Sequence, residues 1–583
     1  MKNIIKNLKE NKWIHYILII IVGIILSIPL CKIQIRDSHD GSLHYLRILG
    51  TVDTLKIGQF PPLINQNFCK GAGYSMNLFY PPLVTYLPLI IKLFTSSYME
   101  ALKIFGGIAI CVSGLTMYHF TYSVTRKRTI ALLSAFFYLI APYKLANVYK
   151  RYAIGEFTAM IFMPLVFLGM YNLFEQDGKK HYYIAIGAVG LMLSHTVTTL
   201  YTALFCVIYI LFNITKLKQK DIIKKCIVNV LFILLISALF WLPLLEAKTM
   251  ADYAILNDQI MRTYGEFAYD NTIHFSQLFK NIGEEDGTTF LLGIPTILAI
   301  IFIPFVEKKV DDKYKSFYLI NIIFSLITLF MCSKFFPWII MPNIICKLQY
   351  PWRMLGFFNF FISFICGINL YIVLEQLVRK EILQITAIIL FVAISIISSI
   401  TIESQFFATD KTLDEKYEKS ITNNKKISHL AINRDYMPLK AIVLQKTYVL
   451  VRKDKTYILN GKADIENEDK QDLNDKINIK NAEKNTELEF PYYYYPGYKA
   501  YLETNNEVIK LDLKESEHGY LSCILPEEIE NGTINIHYTG TFITYFSYVL
   551  SFISFILFIV YIAFFKNKNK DEKNKLNLGG QIK

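Results

Sequence analysis

The residues best able to do chemistry crowd into one short stretch, IRDSHDGSLHYLRILG, at residues 35–50. If this stretch is helical, Asp37, Asp40 and His44 fall at i, i+3 and i+7 and share a face. Arg36 and Asp40 stand four apart and would pair. A carboxylate at a membrane surface acts as a general base toward a hydroxyl once geometry aims it there. A plainer reading is that Ser38 or Asp37 caps an interfacial helix.

Three later turns carry conspicuous charge. YKLANVYKRYAIGEF holds Lys150, Arg151 and Glu156; LSHTVT holds His195; KLQYPWRMLGF holds Gln349, Trp352 and Arg353. Charge at the edge of a membrane is costly unless used or paired. Arg151 and Arg353 offer the planar donor fork that suits a phosphate; for Arg353 the rival is snorkelling beside Trp352. His195 and Glu246 also read simply, as a polar residue satisfied between helices and as an interfacial anion.

These turns need elements to hold them. The chain has 583 residues, 53% hydrophobic, 15% aromatic and 19% charged, with a mean hydropathy of +0.34. A soluble domain carries about a quarter charged residues. Here the apolar residues fall in blocks of about twenty between Lys-rich connections, the pattern of an integral membrane protein. The net charge of +13 is then read as basic loops held against anionic lipid, with no nucleic acid partner. The nine cysteines include no C-x-x-C pair and suit buried apolar positions, not a zinc site or a disulfide framework.

Twelve spans are predicted: 14–31, 101–123, 129–146, 156–174, 182–194, 197–212, 226–245, 290–306, 317–332, 354–374, 383–402 and 542–565. The first is read as uncleaved, with the N-terminus in the cytoplasm. Every second connection is then basic, from Arg126-Lys127-Arg128 through Lys179-Lys180, Lys216–Lys225, Lys308–Lys315 and Arg379-Lys380 to the tail after Phe565, as the positive-inside rule requires. Counting 81–94 as a span would break that agreement, so it is read as an interfacial or re-entrant helix within a first outer loop, 32–100. That loop, with its paired prolines and Gly71-x-Gly73, is long and specific enough to carry function, but it lacks the strand–helix frame of a nucleotide fingerprint.

Residues 403–540 differ. After a helical or irregular lead-in over 410–440, period-two segments such as KTYVLVRK, KTYILNG, DKINIKN, EVIKLDL, YLSCILP and TINIHY alternate with turn residues, predicting a small β-sandwich or barrel. The stretch 464–475 reads as a solvated loop. The tyrosines of FPYYYYPGYKAYLE read either as sugar-stacking groups or as strand packing, the latter favoured. The basic tail, 566–583, reads as disordered.

In order and spacing, DGSLHYLRIL, GQFPPL, GAGYSMNLFYPPLVTYL, YKRYAIGEFTAMIFMPL, LSHTVTTLY, LQYPWRML, RDYMPL and FPYYYYPGYKAYL resemble the bacterial membrane proteins called 6-pyruvoyl-tetrahydropterin synthase-related. These are akin to the YfhO-type proteins and, more broadly, to the GT-C superfamily of polyprenyl-phosphate-sugar glycosyltransferases. The resemblance implies a polytopic, GT-C-like α-helical module over 1–402. It adds an extracytoplasmic β-sandwich-like domain over 403–540, a last helix at 541–565 and a cytoplasmic basic tail. It implies a multi-pass protein of the bacterial cytoplasmic membrane, with cytoplasmic termini and an external site. The implied reaction moves a sugar from a polyprenyl-phosphate donor to a glycan or polymer acceptor, with membrane lipid as surroundings. Asp40 would be the base, Asp37 its rival and His44 its neighbour. Arg151 and Arg353 would hold the donor phosphate, with Glu156, His195 and Gln349 in support. Many members carry Asp-Glu or Asp-x-Asp where this chain has Asp37-Ser-His-Asp40, which leaves the metal unknown and a divalent cation the one cofactor considered. The rival function is a lipid-linked glycan transporter, or a glycan-binding scaffold with an inactive site.

Overall fold

The computed structural model describes residues 11–279, 290–377, 381–404, 413–424, 434–443, 455–505 and 507–579. The apolar blocks become helices: α1 (Lys12–Ser27), α2 (Gly41–Lys56), α3 (Leu83–Lys92), α4 (Tyr98–Thr125), α5 (Arg128–Leu139), α6 (Pro142–Tyr149) and α7 (Ile154–Glu175). There follow α8 (Tyr183–Met192), α9 (Thr196–Phe212), α10 (Lys220–Ile236), α11 (Ala238–Met250), α12 (Ile294–Ile301), α13 (Asp312–Cys332), α14 (Met354–Leu377), α15 (Glu381–Glu403), α16 (Leu413–Asn424) and α17 (Phe542–Gly579). Shorter turns link them.

Among the described residues six helices are long and apolar enough to cross a membrane, or eight if each of two bent pairs counts as one span. The twelve predicted positions are all helical, but not all are single long helices. The pair α5–α6 bends by 48° where Pro142 opens α6: proline starts a helix readily, and it disfavours helical backbone in the residue before it. The pair α10–α11 bends by 69° at Ser237. The predicted span 290–306 is broken into eight- and four-residue helices, with prolines at the start of both. Helix α3, ten residues, is too short to span a bilayer that needs about 20. The predicted basic connection at Arg379-Lys380 lies outside the described residues.

Two antiparallel sheets follow. One has the order β1-β4-β8-β7 and the other β2-β3-β9-β5-β6. Here β1 is Tyr457–Asn460, β2 Asp464–Gln471, β3 Asn474–Ala482, β4 Glu487–Tyr493, β5 Tyr498–Thr504, β6 Val508–Leu511, β7 Lys514–Glu515, β8 Tyr520–Ile524 and β9 Ile529–Tyr538. Alternate residues of both sheets, Ile477, Ile479, Leu488, Leu502, Leu521, Ile534 and Ile536 among them, enter one buried cluster, so the pair is a sandwich. Pro491 sits in β4 where its register against β8 shifts, a position that tolerates the missing N–H.

The stretch read as a solvated loop is β2, paired with β3 from Asp464↔Lys480 to Gln471↔Asn474. It stands at the edge of its sheet, where charge protects a free strand rather than breaking it, so apolar alternation failed to mark it. Tyr492, Tyr493, Tyr495 and Tyr498 are buried, which makes the tyrosine run chiefly core. KTYVLVRK, residues 446–453, lies outside the described residues. The tail read as disordered continues α17 to Gly579; its Lys, Glu and Leu are good helix formers.

The sandwich docks on the segment between α1 and α4: the Tyr493 N–H donates to the Ala72 carbonyl at 2.9 Å, and the rings of Tyr436, Tyr74 and Phe79 pack together.

Candidate active site

The bend before Pro142 turns α6 away from α5 and ends it in a tight reversal. There Tyr152 takes the left-handed backbone (φ +46°), and the Arg151 and Ala153 amides bond back to Ala146 and Asn147. Tyr143, Asn147 and Arg151 stand at four-residue spacing, so they share one face. That face meets Glu156 in the first turn of α7, where the helix dipole favours an anion. Glu156 accepts hydrogen bonds from the Tyr143 hydroxyl (2.7 Å), the Asn147 amide (3.0 Å) and Arg151 (2.8 Å). Arg151 also donates to Asn147 Oδ1.

A second arginine arrives from the turn Pro351–Arg353 before α14. Arg353 Nε lies 3.9 Å from Glu156 Oε2, and its Nη1 donates to Leu348 O (3.0 Å) and Gln349 Oε1 (3.2 Å). Arg151 stacks on Trp352 at 4.7 Å, with Arg353 6.0 Å from the same ring. Both guanidinium groups are thus pinned in orientation. One carboxylate between two arginines leaves an excess positive charge.

The segment between α1 and α4 faces this pair. Asp40 N–H donates to Arg151 O at 2.9 Å, which ties the head of α2 to the α6–α7 reversal. Asp40 is the N-cap residue, but its side chain makes no capping bond; Ser38 Oγ instead accepts from Gly41 N at 3.1 Å. Among the described residues the Asp40 carboxylate has no hydrogen-bond or ion-pair partner. Burial pushes its pKa up, while Arg151 and Arg353 and then His39 pull it back. His44, one turn on, is buried, and burial with nearby Arg47 drives its pKa well below the usual value. His195 is pushed down to about 4 by burial despite nearby Glu156. Both imidazoles are therefore neutral at neutral pH, and His195 Nδ1 bonds Thr198 Oγ1 at 2.7 Å.

These groups line one cavity of about 430 Å³, with Asp40, His44, Arg151, Glu156, His195, Gln349 and Arg353 all on its wall. Leu43, Val197, Leu200, Leu244 and Ile255 give it an apolar side. Asp37 is not there. Helix α2 begins only at Gly41, so the helical spacing that would align Asp37 with Asp40 does not exist. Asp37 is exposed and lies 3.7 Å from Arg36, which also removes the expected Arg36–Asp40 pair. Glu246 is also elsewhere, accepting from Thr541 at 2.6 Å at the head of α17.

The sequence reading missed Tyr80, Tyr143, Asn147, Lys347, Asp435 and Tyr436. The four-residue spacing of Tyr143, Asn147 and Arg151 was a signal for two of them. Lys347 lines the cavity while paired with Asp258. Among the described residues no group of three or more His, Cys, Asp and Glu side chains is arranged to hold a metal ion.

Long apolar helices carrying a charged cavity at the end where the sandwich docks define a polytopic membrane protein. Residues 78–407 match the family described as 6-pyruvoyl-tetrahydropterin synthase related domain, membrane protein, and the chain belongs to that family. The matched region contains every cavity residue from Tyr80 to Arg353 but starts after Asp40 and His44. An uncharacterized protein from Lactococcus lactis subsp. cremoris (strain MG1363) is 28% identical over 350 residues, 57% of this chain and 56% of the relative. The match thus spans about half the length of that relative. Among solved structures, the archaeal oligosaccharyltransferase AglB from Archaeoglobus fulgidus, in complex with an inhibitory peptide and a dolichol-phosphate, aligns with a TM-score of 0.37 and 11% identity over 74% of this chain and 61% of that chain. The apo form of the Archaeoglobus fulgidus oligosaccharyltransferase gives 0.34 and 12% over the same shares. Likenesses of that size carry no functional weight.

Proposed function

We propose that the protein transfers a sugar from a polyprenyl-phosphate donor to an acceptor hydroxyl at the outer face of the bacterial cytoplasmic membrane. One observation carries this reading: Asp40, a carboxylate with no partner among the described residues, shares a cavity with two oriented arginines and an apolar wall. The arginines suit a phosphate and the apolar side a prenyl chain.

Asp40 takes the proton of the acceptor hydroxyl as its oxygen attacks the anomeric carbon. The bond from that carbon to the phosphate oxygen breaks, and the phosphate leaves with the electron pair. Arg151 and Arg353 neutralise the charge gathering on it, a stabilisation worth about 3 kcal/mol per well-placed donor in other enzymes. A single displacement inverts the anomeric carbon. Glu156 holds the arginines, and the neutral imidazoles of His44 and His195 add hydrogen-bonding groups without further charge.

The test is an in vitro transfer assay with a panel of polyprenyl-phosphate sugars, comparing the parent with Asp40→Asn. The reading expects transfer by the parent and its loss in the variant. Equal rates reject the base assignment, and a parent inert on every donor favours a transporter or glycan-binding scaffold.

A further inference from the structure

Asp435 comes from far along the chain. It lies in the turn Arg434–Tyr436, on the path from the membrane helices to the sandwich, and it lines the same cavity as Asp40. Its placement is fixed from three sides. The ring of Tyr436 stacks on Phe79 at 6.0 Å and meets Tyr74 edge-on at 5.7 Å, so the segment between α1 and α4 holds one side. The loop after α11 holds the second: Leu439 N–H donates to Asp252 O at 2.8 Å, and Ala254 N–H to Met437 O at 3.1 Å. The sandwich holds the third, through the Tyr495 hydroxyl on Tyr436 O at 2.8 Å. A short turn pinned this way delivers its side chain to one place.

Among the described residues the Asp435 carboxylate has no hydrogen-bond or ion-pair partner. Burial raises its pKa. The cavity thus holds two arginines gripped by Glu156 together with a carboxylate that has no partner among the described residues. An acceptor-only group that loses water on ligand entry needs donors from the ligand. Its two oxygens suit a pair of adjacent hydroxyls.

We propose that Asp435 binds adjacent hydroxyls of the acceptor, so that the acceptor is a saccharide or polyol and the docked sandwich completes the site. The acceptor role rests on the proposed transfer; hydroxyl binding by Asp435 does not. Asp435 is a binding residue, and Asp40 remains the group that meets the reacting hydroxyl.

The full chain in nanodiscs is tested by saturation-transfer NMR with methyl α-glucoside, methyl α-N-acetylglucosaminide and ribitol, and separately by native mass spectrometry with undecaprenyl phosphate. At least one polyol should bind the parent, with at least tenfold weaker binding to Asp435→Asn. Undecaprenyl phosphate should bind that near-isosteric variant as it binds the parent, which certifies an intact cavity, whereas Arg353→Gln should weaken the lipid and spare the polyol. Polyol binding that is absent in the parent, or equal in Asp435→Asn, overturns the inference, as does loss of both ligands together. If the polyol depends on Asp435 while undecaprenyl phosphate does not bind, the transferase reading fails and the hydroxyl site stands.

Discussion

At Asp40 folding favours the protonated acid, because burial outweighs the attraction of Arg151 and Arg353. A carboxyl raised in the folded state contributes stability that is present below its ordinary pKa and lost as pH rises through the folded value. Replacing it with Asn removes that cost. At pH 8, Asp40→Asn should unfold at the same temperature as the parent or a higher one, while transfer falls by about 10²–10⁴-fold, the usual contribution of a general base. The acid limb of the rate profile should lie above the ordinary carboxylate range. Arg353→Gln removes one of the charges holding that value down, so the limb should move to higher pH; a shift to lower pH would contradict the electrostatics. Glu156 carries both arginines, and Glu156→Gln strands buried charge, a loss of about 3–5 kcal/mol, read as a lower unfolding temperature.

Among the elements, α16 shows how distant pieces position the site. Asp414, buried within it, accepts from the Ile35 and Arg36 amides at 3.1 Å each and pairs with Lys103 at 3.0 Å. This clamp fixes the chain just before Asp40. Asp414→Ala leaves those amides and Lys103 unpartnered, with an expected cost of about 2–3 kcal/mol or more, and transfer should fall with it. The close packing at the head of α7 is equally specific: a Cβ on Gly155 would lie 2.5 Å from the Tyr80 hydroxyl and 3.0 Å from His195 Cδ2. Helices, strands and the charged turns were legible in the sequence because apolar blocks and period-two alternation mark them directly. Asp435 was not, because nothing local says that a turn after residue 430 returns to residues 40 and 151. The edge strand β2 escaped because its charges mimic a loop, and Asp37 was misplaced because the start of α2 is set by Ser38 and Gly41, not by the spacing of acids.

For the whole molecule, the chain reverses so that residues from 40–44, 79–81, 151–156, 195–200, 244–263, 347–353 and the lead-in to the sandwich gather around one cavity. The connections at Arg126–Arg128, Lys179-Lys180 and Lys216–Lys225 join the other ends of the helices that lead to it. The proposed topology places the first set outside. With Cys31 replaced by Ser, a cysteine in place of Lys462, 83% exposed, should react with a membrane-impermeant maleimide in intact cells, and one in place of Lys218 only after permeabilisation. Whether Asp40 takes the acceptor proton beside a phosphate held by arginines is decided in proteoliposomes. Undecaprenyl phosphate binding and sugar transfer are measured together for the parent and Asp40→Asn. Lipid binding should be equal and transfer reduced at least a hundredfold; transfer at the parental rate by the Asn variant would exclude Asp40 as the base.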